Sequence, residues 1–146
     1  MFPRIFLFIN LIFLPVYLFA DETKKSYSPS KVVYDLSSAD SKVLKNALDR
    51  ISMLQNVYNN DSFEASIVVV IHEEAIPLFK NYRPLDLMVR ARSLAMGEII
   101  KFKICKASAK MQGIAVADLH DFVEMVPMAD AEIIKLQKAG YSYIRL

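Results

Sequence analysis

Two hydrophobic rhythms alternate along the chain. Runs of β-branched and aromatic residues are separated by stretches in which apolar residues return every three or four positions. "KVVYDLS" (31–37) reads as a first strand. Leu44, Ala47, Leu48, Ile51 and Leu54 then recur at helical spacing, with Asp40 or Ser41 placed to cap the helix start. "NND" (59–61) breaks that helix, and "FEASIVVVIH" (63–72) follows, almost wholly apolar at its centre. Such a run suits a strand covered on both faces, as in parallel sheets.

"EEAIPLFKNY" reads as an irregular helix disturbed by Pro77, and 84–97 as a helix with Pro84 in its first turn. "IIKFKIC" (99–105) is a third strand; "KASAKMQG" and "VADLHDF" are two short helices; "VEMVP" (123–127) is a fourth strand. In the last helix, "ADAEIIKLQKAG", Gln137 is placed inward beside Ile133 and Ile134 as a structural hydrogen-bonding residue, and "YSYIRL" closes the chain as a strand. Gly97, Gly113 and Gly140 all fall where a helix ends, the usual left-handed cap position.

Strands alternating with helices predict an α/β domain of three layers, α/β/α, around a mostly parallel sheet of about five strands. Such sheets bind ligands at the carboxyl ends of their strands. On this reading Ser37, His72 and Cys105 share one rim.

Composition changes the picture at the N-terminus. One cation, Arg4, precedes an apolar run from Ile5 to Phe19 that ends at Ala20. This is the layout of a signal peptide. The run is shorter than the ~20 residues needed to span a bilayer, so no stable membrane anchor is expected. The expected division is a signal peptide at 1–20, a flexible arm at 21–30 and one domain at 31–146, with the mature chain periplasmic or secreted.

Removing Arg4 from the 18 basic residues leaves 17 against 16 acidic ones, a net charge of +1. No basic stripe points to nucleic acid. A single cysteine forbids an internal disulfide, and a lone thiol in an oxidising compartment is hidden, paired between chains or chemically used.

No glycine-rich phosphate loop or dinucleotide fingerprint is present, no metal-ligand spacing emerges, and no cofactor is expected. Candidate chemistry centres on Cys105. It lies among Lys101, Lys103, Lys106 and Lys110 and immediately precedes a predicted helix. Nearby cations and a helix N-terminus both favour thiolate. Burial as a small core residue is the competing reading. His72, at the end of the second strand, is the other candidate, able to hold or shuttle a proton.

The stretch "IIKFKICKASAKMQGI" resembles the cysteine segment of the DsrE/DsrF-like family, which includes the sulfur-relay proteins of the DsrEFH and TusBCD complexes. The matching residues are Ile104, Cys105, Ala107, Ala109, Gly113 and Ile114. The end of the chain resembles an exported branch of that superfamily through Val126, Pro127, Gln137, Gly140 and Tyr141, as do "VVYDLSS" and "VVVIHEEAIPLF". That branch often has glycine after the histidine of the second strand, where Glu73 stands here.

The resemblance covers about residues 31 to 146. It implies a flavodoxin-like fold, a trimeric or hexameric homo-oligomer, and a sulfur donor or acceptor protein as partner. It also implies a persulfide on Cys105, with Lys103 and Lys106 steadying the anion and His72 handling a proton; Ser37, from its strand-end position, is the further substrate-binding candidate on the rim. The alternative is a non-catalytic oligomeric ligand-binding or scaffold protein with Cys105 buried and inert. A flavin protein, suggested by Ser37, Ser38 and Ser41 after the first strand, lacks a phosphate loop.

Overall fold

A computed structural model of the chain describes residues 27–82 and 86–146. The expected signal peptide, most of the expected arm and Pro84 lie outside them. Five strands form one sheet: β1 (Ser30–Leu36), β2 (Ala65–Ile71), β3 (Ile100–Cys105), β4 (Val123–Val126) and β5 (Ser142–Arg145). Their order is β4-β3-β2-β1-β5, and every pairing is parallel. Helices α1 (Ser41–Val57), α2 (Asp86–Ala95), α3 (Lys106–Met111) and α4 (Ala129–Lys138) connect them. The result is a three-layer, flavodoxin-like α/β sandwich.

Strand alternation assigns each side chain to a face. Val32, Tyr34, Leu36, Ile67, Val69, Ile71, Phe102 and Ile104 share the larger core with Leu44, Leu48 and Ile51 of α1 and Met88 and Ala91 of α2. The 3-10 helix Glu73–Phe79 adds Ala75, Ile76, Leu78 and Phe79. The opposite face holds a smaller core: Val33, Val68, Val70 and Cys105 beneath Ala129, Ile133 and Leu136 of α4.

Several local expectations hold for stated reasons. Asp40 caps α1 by accepting from the Lys42 N–H at 2.8 Å. Gly113 and Gly140 take positive φ at +65° and +89°, whereas Gly97 does not enter that region.

Besides Gly97, two expectations are corrected. "VADLHDF" condenses to a single 3-10 turn at Val116–Asp118, because the following Leu119 is already extended and Lys80 bridges to it in antiparallel fashion. Gln137 lies exposed, and Ile134 with it. The buried stripe of α4 instead runs through Ala129, Glu132, Ile133 and Leu136, a better fit to the 3.6-residue repeat. Among the described residues no helix is long and apolar enough to cross a membrane.

Candidate functional site at the strand ends

In register, Leu36 pairs with Ile71 and Ile71 with Ile104. The next position on the three neighbouring strands is therefore Ser37, His72 and Cys105. All three follow the parity of the smaller core, so the chain brings a serine, an imidazole and a thiol to one row at the carboxyl rim.

Cys105 ends β3 and is the N-cap of α3. Its sulfur accepts the Ser108 N–H at 3.4 Å, the Ser108 hydroxyl at 3.3 Å and the Ala129 N–H at 3.3 Å. The last of these comes from the start of α4, so two helix N-termini converge on one sulfur. Burial pushes the thiol up, but the donors from Ser108, Ala129 and Ala107 outweigh it and hold the thiol below its ordinary range. A depressed thiol is what the sequence suggested; its cause is different. The causes are the Ser108 hydroxyl and backbone N–H groups, in place of the lysine field that the sequence led one to expect.

The lysines are placed elsewhere. Lys103 shares the face of Cys105, but its ammonium donates to Glu132 of α4 at 2.6 Å and lies 3.9 Å from Glu124. Lys106 is exposed and lines a separate surface depression with Lys110, Gly113 and Ile114. Ser37 is half-buried and does not line the cleft that reaches Cys105.

That cleft has a volume of about 360 Å³. His72 and Cys105 both line it, with Ser108 beside the sulfur and Met111 and Met128 as its apolar walls. Glu73 and Asp130 supply its charges. Cys105 is only 3% exposed, so the thiol lies at the floor of the cleft.

His72 is held from behind. Its Nε2 lies 2.5 Å from Asp35 Oδ1, and the hydroxyl of Tyr143 donates to Asp35 Oδ2 at 2.5 Å. Its Nδ1 is 3.7 Å from Glu73 Oε1. Accepting from Tyr143 keeps Asp35 satisfied and, by anchoring the phenol's proton, pushes Tyr143 up.

Asp35, Tyr143 and Ser108 were not singled out from sequence. One signal was available for Asp35: an acid inside the apolar strand "KVVYDL" on the same face as His72, buried to 8% exposure. A buried charge at such a place demands partners. Among the described residues, no group of three His, Cys, Asp or Glu side chains is arranged to hold a metal.

Glu73 adopts φ +49°, in the left-handed region. The glycine common at this position in the resembling branch would enter that region without strain. Here the Gln112 side chain donates to the Glu73 carbonyl at 2.7 Å and holds the turn.

The model of the DsrE/DsrF-like family matches residues 31–146. Two solved structures share the fold. A protein of unknown function, MTH1491 from Methanobacterium thermoautotrophicum, is 22% identical, with TM-score 0.65, over 80% of this chain and 99% of its own. The ychN protein from E. coli is 15% identical, with TM-score 0.62, over 82% of this chain and 100% of its own. No curated protein matches the chain.

Proposed function

The chain belongs to the DsrE/DsrF-like family, and from that premise we propose that it carries sulfane sulfur on Cys105 as a persulfide. One observation carries the reading: the sulfur sits at the floor of an open cleft with three donors aimed at it, two of them backbone N–H groups at helix starts. Such donors stabilise a sulfur anion, whether thiolate or persulfide. His72, on the same cleft, is the proton-handling partner.

Lys103 and Lys106 take no part in this reading, since one is committed to Glu132 and the other faces away. Ser37 is left as a rim residue.

Export and homo-oligomeric assembly, as trimer or hexamer, belong to the same proposal. The Arg4–Ala20 pattern supports export. The family supports assembly. N-terminal sequencing from the native host that begins near Asp21, and light scattering above monomer mass, are the expected results.

The competing reading is a binding or scaffold protein with an inert Cys105, favoured by the low exposure of the thiol. Intact mass after incubation with a sulfane donor separates the two. Sulfur gain by the native chain and none by Cys105→Ser supports the carrier. A thiol that resists both donor and alkylation until unfolding establishes the scaffold.

A further inference from the structure

Asp35 is a buried carboxylate in the middle of a strand whose neighbours Val33, Tyr34 and Leu36 are core residues. Nothing in the packing of the sheet requires an acid there. Its two oxygens are divided between two side chains remote in sequence: Oδ1 to His72 Nε2 and Oδ2 to the Tyr143 hydroxyl. Tyr143 comes from β5, which pairs with β1 on the side away from β2. The carboxylate is thus braced from the edge strand and presented to the imidazole of the next strand inward.

We propose that Asp35, locked by Tyr143, is a positioning residue for His72. A carboxylate accepts and does not donate. Held against it, Nε2 carries the proton of the neutral ring and Nδ1 keeps the lone pair. Nδ1 is the nitrogen on the side of Glu73, a residue of the Cys105 cleft. The nitrogen left with its lone pair thus belongs to a ring that lines the same cleft as Cys105. Asp35 of β1 and Glu73 of the following turn face the ring, and Asp130 at the start of α4 and Cys105 of β3 line the same cleft.

The inference rests on the sulfur-carrier reading for its chemistry. A donor persulfide, R–S–S–H, enters the cleft. His72 Nδ1 takes the Cys105 proton, and the thiolate attacks the outer sulfur of the donor. The bond from Cys105 Sγ to that sulfur forms and the donor S–S bond breaks, its electron pair leaving on R–S⁻. The imidazolium returns its proton to give R–S–H. Sulfane sulfur passes from one thiol to another without net oxidation.

The test uses the full chain with 15N-labelled histidine, and a small-molecule persulfide as donor. Nitrogen shifts should report the Nε2–H tautomer of His72 in the native protein. Asp35→Asn should lose that preference and slow single-turnover sulfur transfer by roughly tenfold or more, since a positioned base contributes about 100-fold or more. Tyr143→Phe leaves the carboxylate in place and should keep the tautomer, with transfer slowed about two- to threefold.

A native His72 carrying its proton on Nδ1 overturns the proposal, and this measurement decides even if Asp35→Asn fails to fold. So does an Asp35→Asn variant that folds and transfers at the native rate. Absence of sulfur gain in the native chain would instead remove the carrier reading, while the tautomer measurement would still decide the placement of His72.

Discussion

On one face of the sheet Phe102, Ile104, Leu36 and Ile71 lie beneath α1, α2 and the 3-10 helix. On the other, Val33, Val68, Val70 and Cys105 lie beneath α4. The first face is filled with large apolar side chains, including a cluster in which the Phe102 and Phe122 rings meet edge to face at 5.6 Å. Burying each such side chain stabilises the fold by about 1.5–3 kcal/mol. The second face replaces much of that packing with paired polar groups: Asp35 with His72 and Tyr143, Lys103 with Glu132. Stability and the proposed chemistry therefore fall on opposite sides of the same strands. A thin layer leaves the strand ends open to a cleft, and polar pairs there are kept by partners rather than by bulk.

The comparison breaks most completely at Cys105. Cys105→Ser should abolish sulfur gain, measured by intact mass, while the fold is kept, because serine is itself a preferred N-cap. In the native chain the alkylation rate should rise with pH through a midpoint below the ~8.5 of a free cysteine, since the donors at the sulfur outweigh its burial. A midpoint at or above that value would place Cys105 with the inert residues.

Phe102→Ala tests the thick face. It should cost about 3–5 kcal/mol in denaturant unfolding, with sulfur gain per folded molecule unchanged. Loss of sulfur gain in molecules that remain folded would show that the two faces are not separable.

Lys103→Met tests the thin face without touching the thiol. Glu132 would keep only Lys135, at 3.3 Å, and stability should fall by about 1–3 kcal/mol. Burial pushes Glu132 up, but the hydrogen bonds from Lys103 and Lys135 prevail and hold it below the usual carboxylate range. A carboxyl lowered on folding adds stability that is present above its unfolded value, near ~4.3, and lost as pH falls through the folded value. The native chain should show that acid-side loss in thermal melts, and Lys103→Met should show less of it.

The smallest effect is expected at Glu73. A non-glycine residue in the left-handed region is strained by about 1–2 kcal/mol, a strain glycine does not carry there, and glycine offsets about 0.5–1 kcal/mol of that gain as chain entropy. Glu73→Gly should therefore stabilise the chain by at most about 1.5 kcal/mol in the same unfolding assay.

Much of the fold was legible in the residues themselves. The apolar run of β2, the helical repeat of α1 and the alternation in "IIKFKIC" each express a local period, and local periods are set by backbone geometry. Strand parity also brought His72 and Cys105 to one rim, and the residue order placed the thiol before a helix. The family segment around Cys105 gave the same position.

What the sequence by itself determined, then, was the set of elements, their parallel arrangement and the row of strand ends on which His72 and Cys105 stand. What only the tertiary structure decided was the partner of each polar side chain. Lys103 looked like a neighbour of the thiol and belongs to Glu132, 29 residues on. Asp35 looked like an oddity within a strand and belongs to His72 and Tyr143, 37 and 108 residues away. The thiol's donors include the N–H of Ala129, 24 residues from it. Periodicity tells which face a side chain takes, because that follows from the dihedral angles of its own residue. It does not tell which group waits on that face, because that depends on strand order, register and the point at which a distant helix begins.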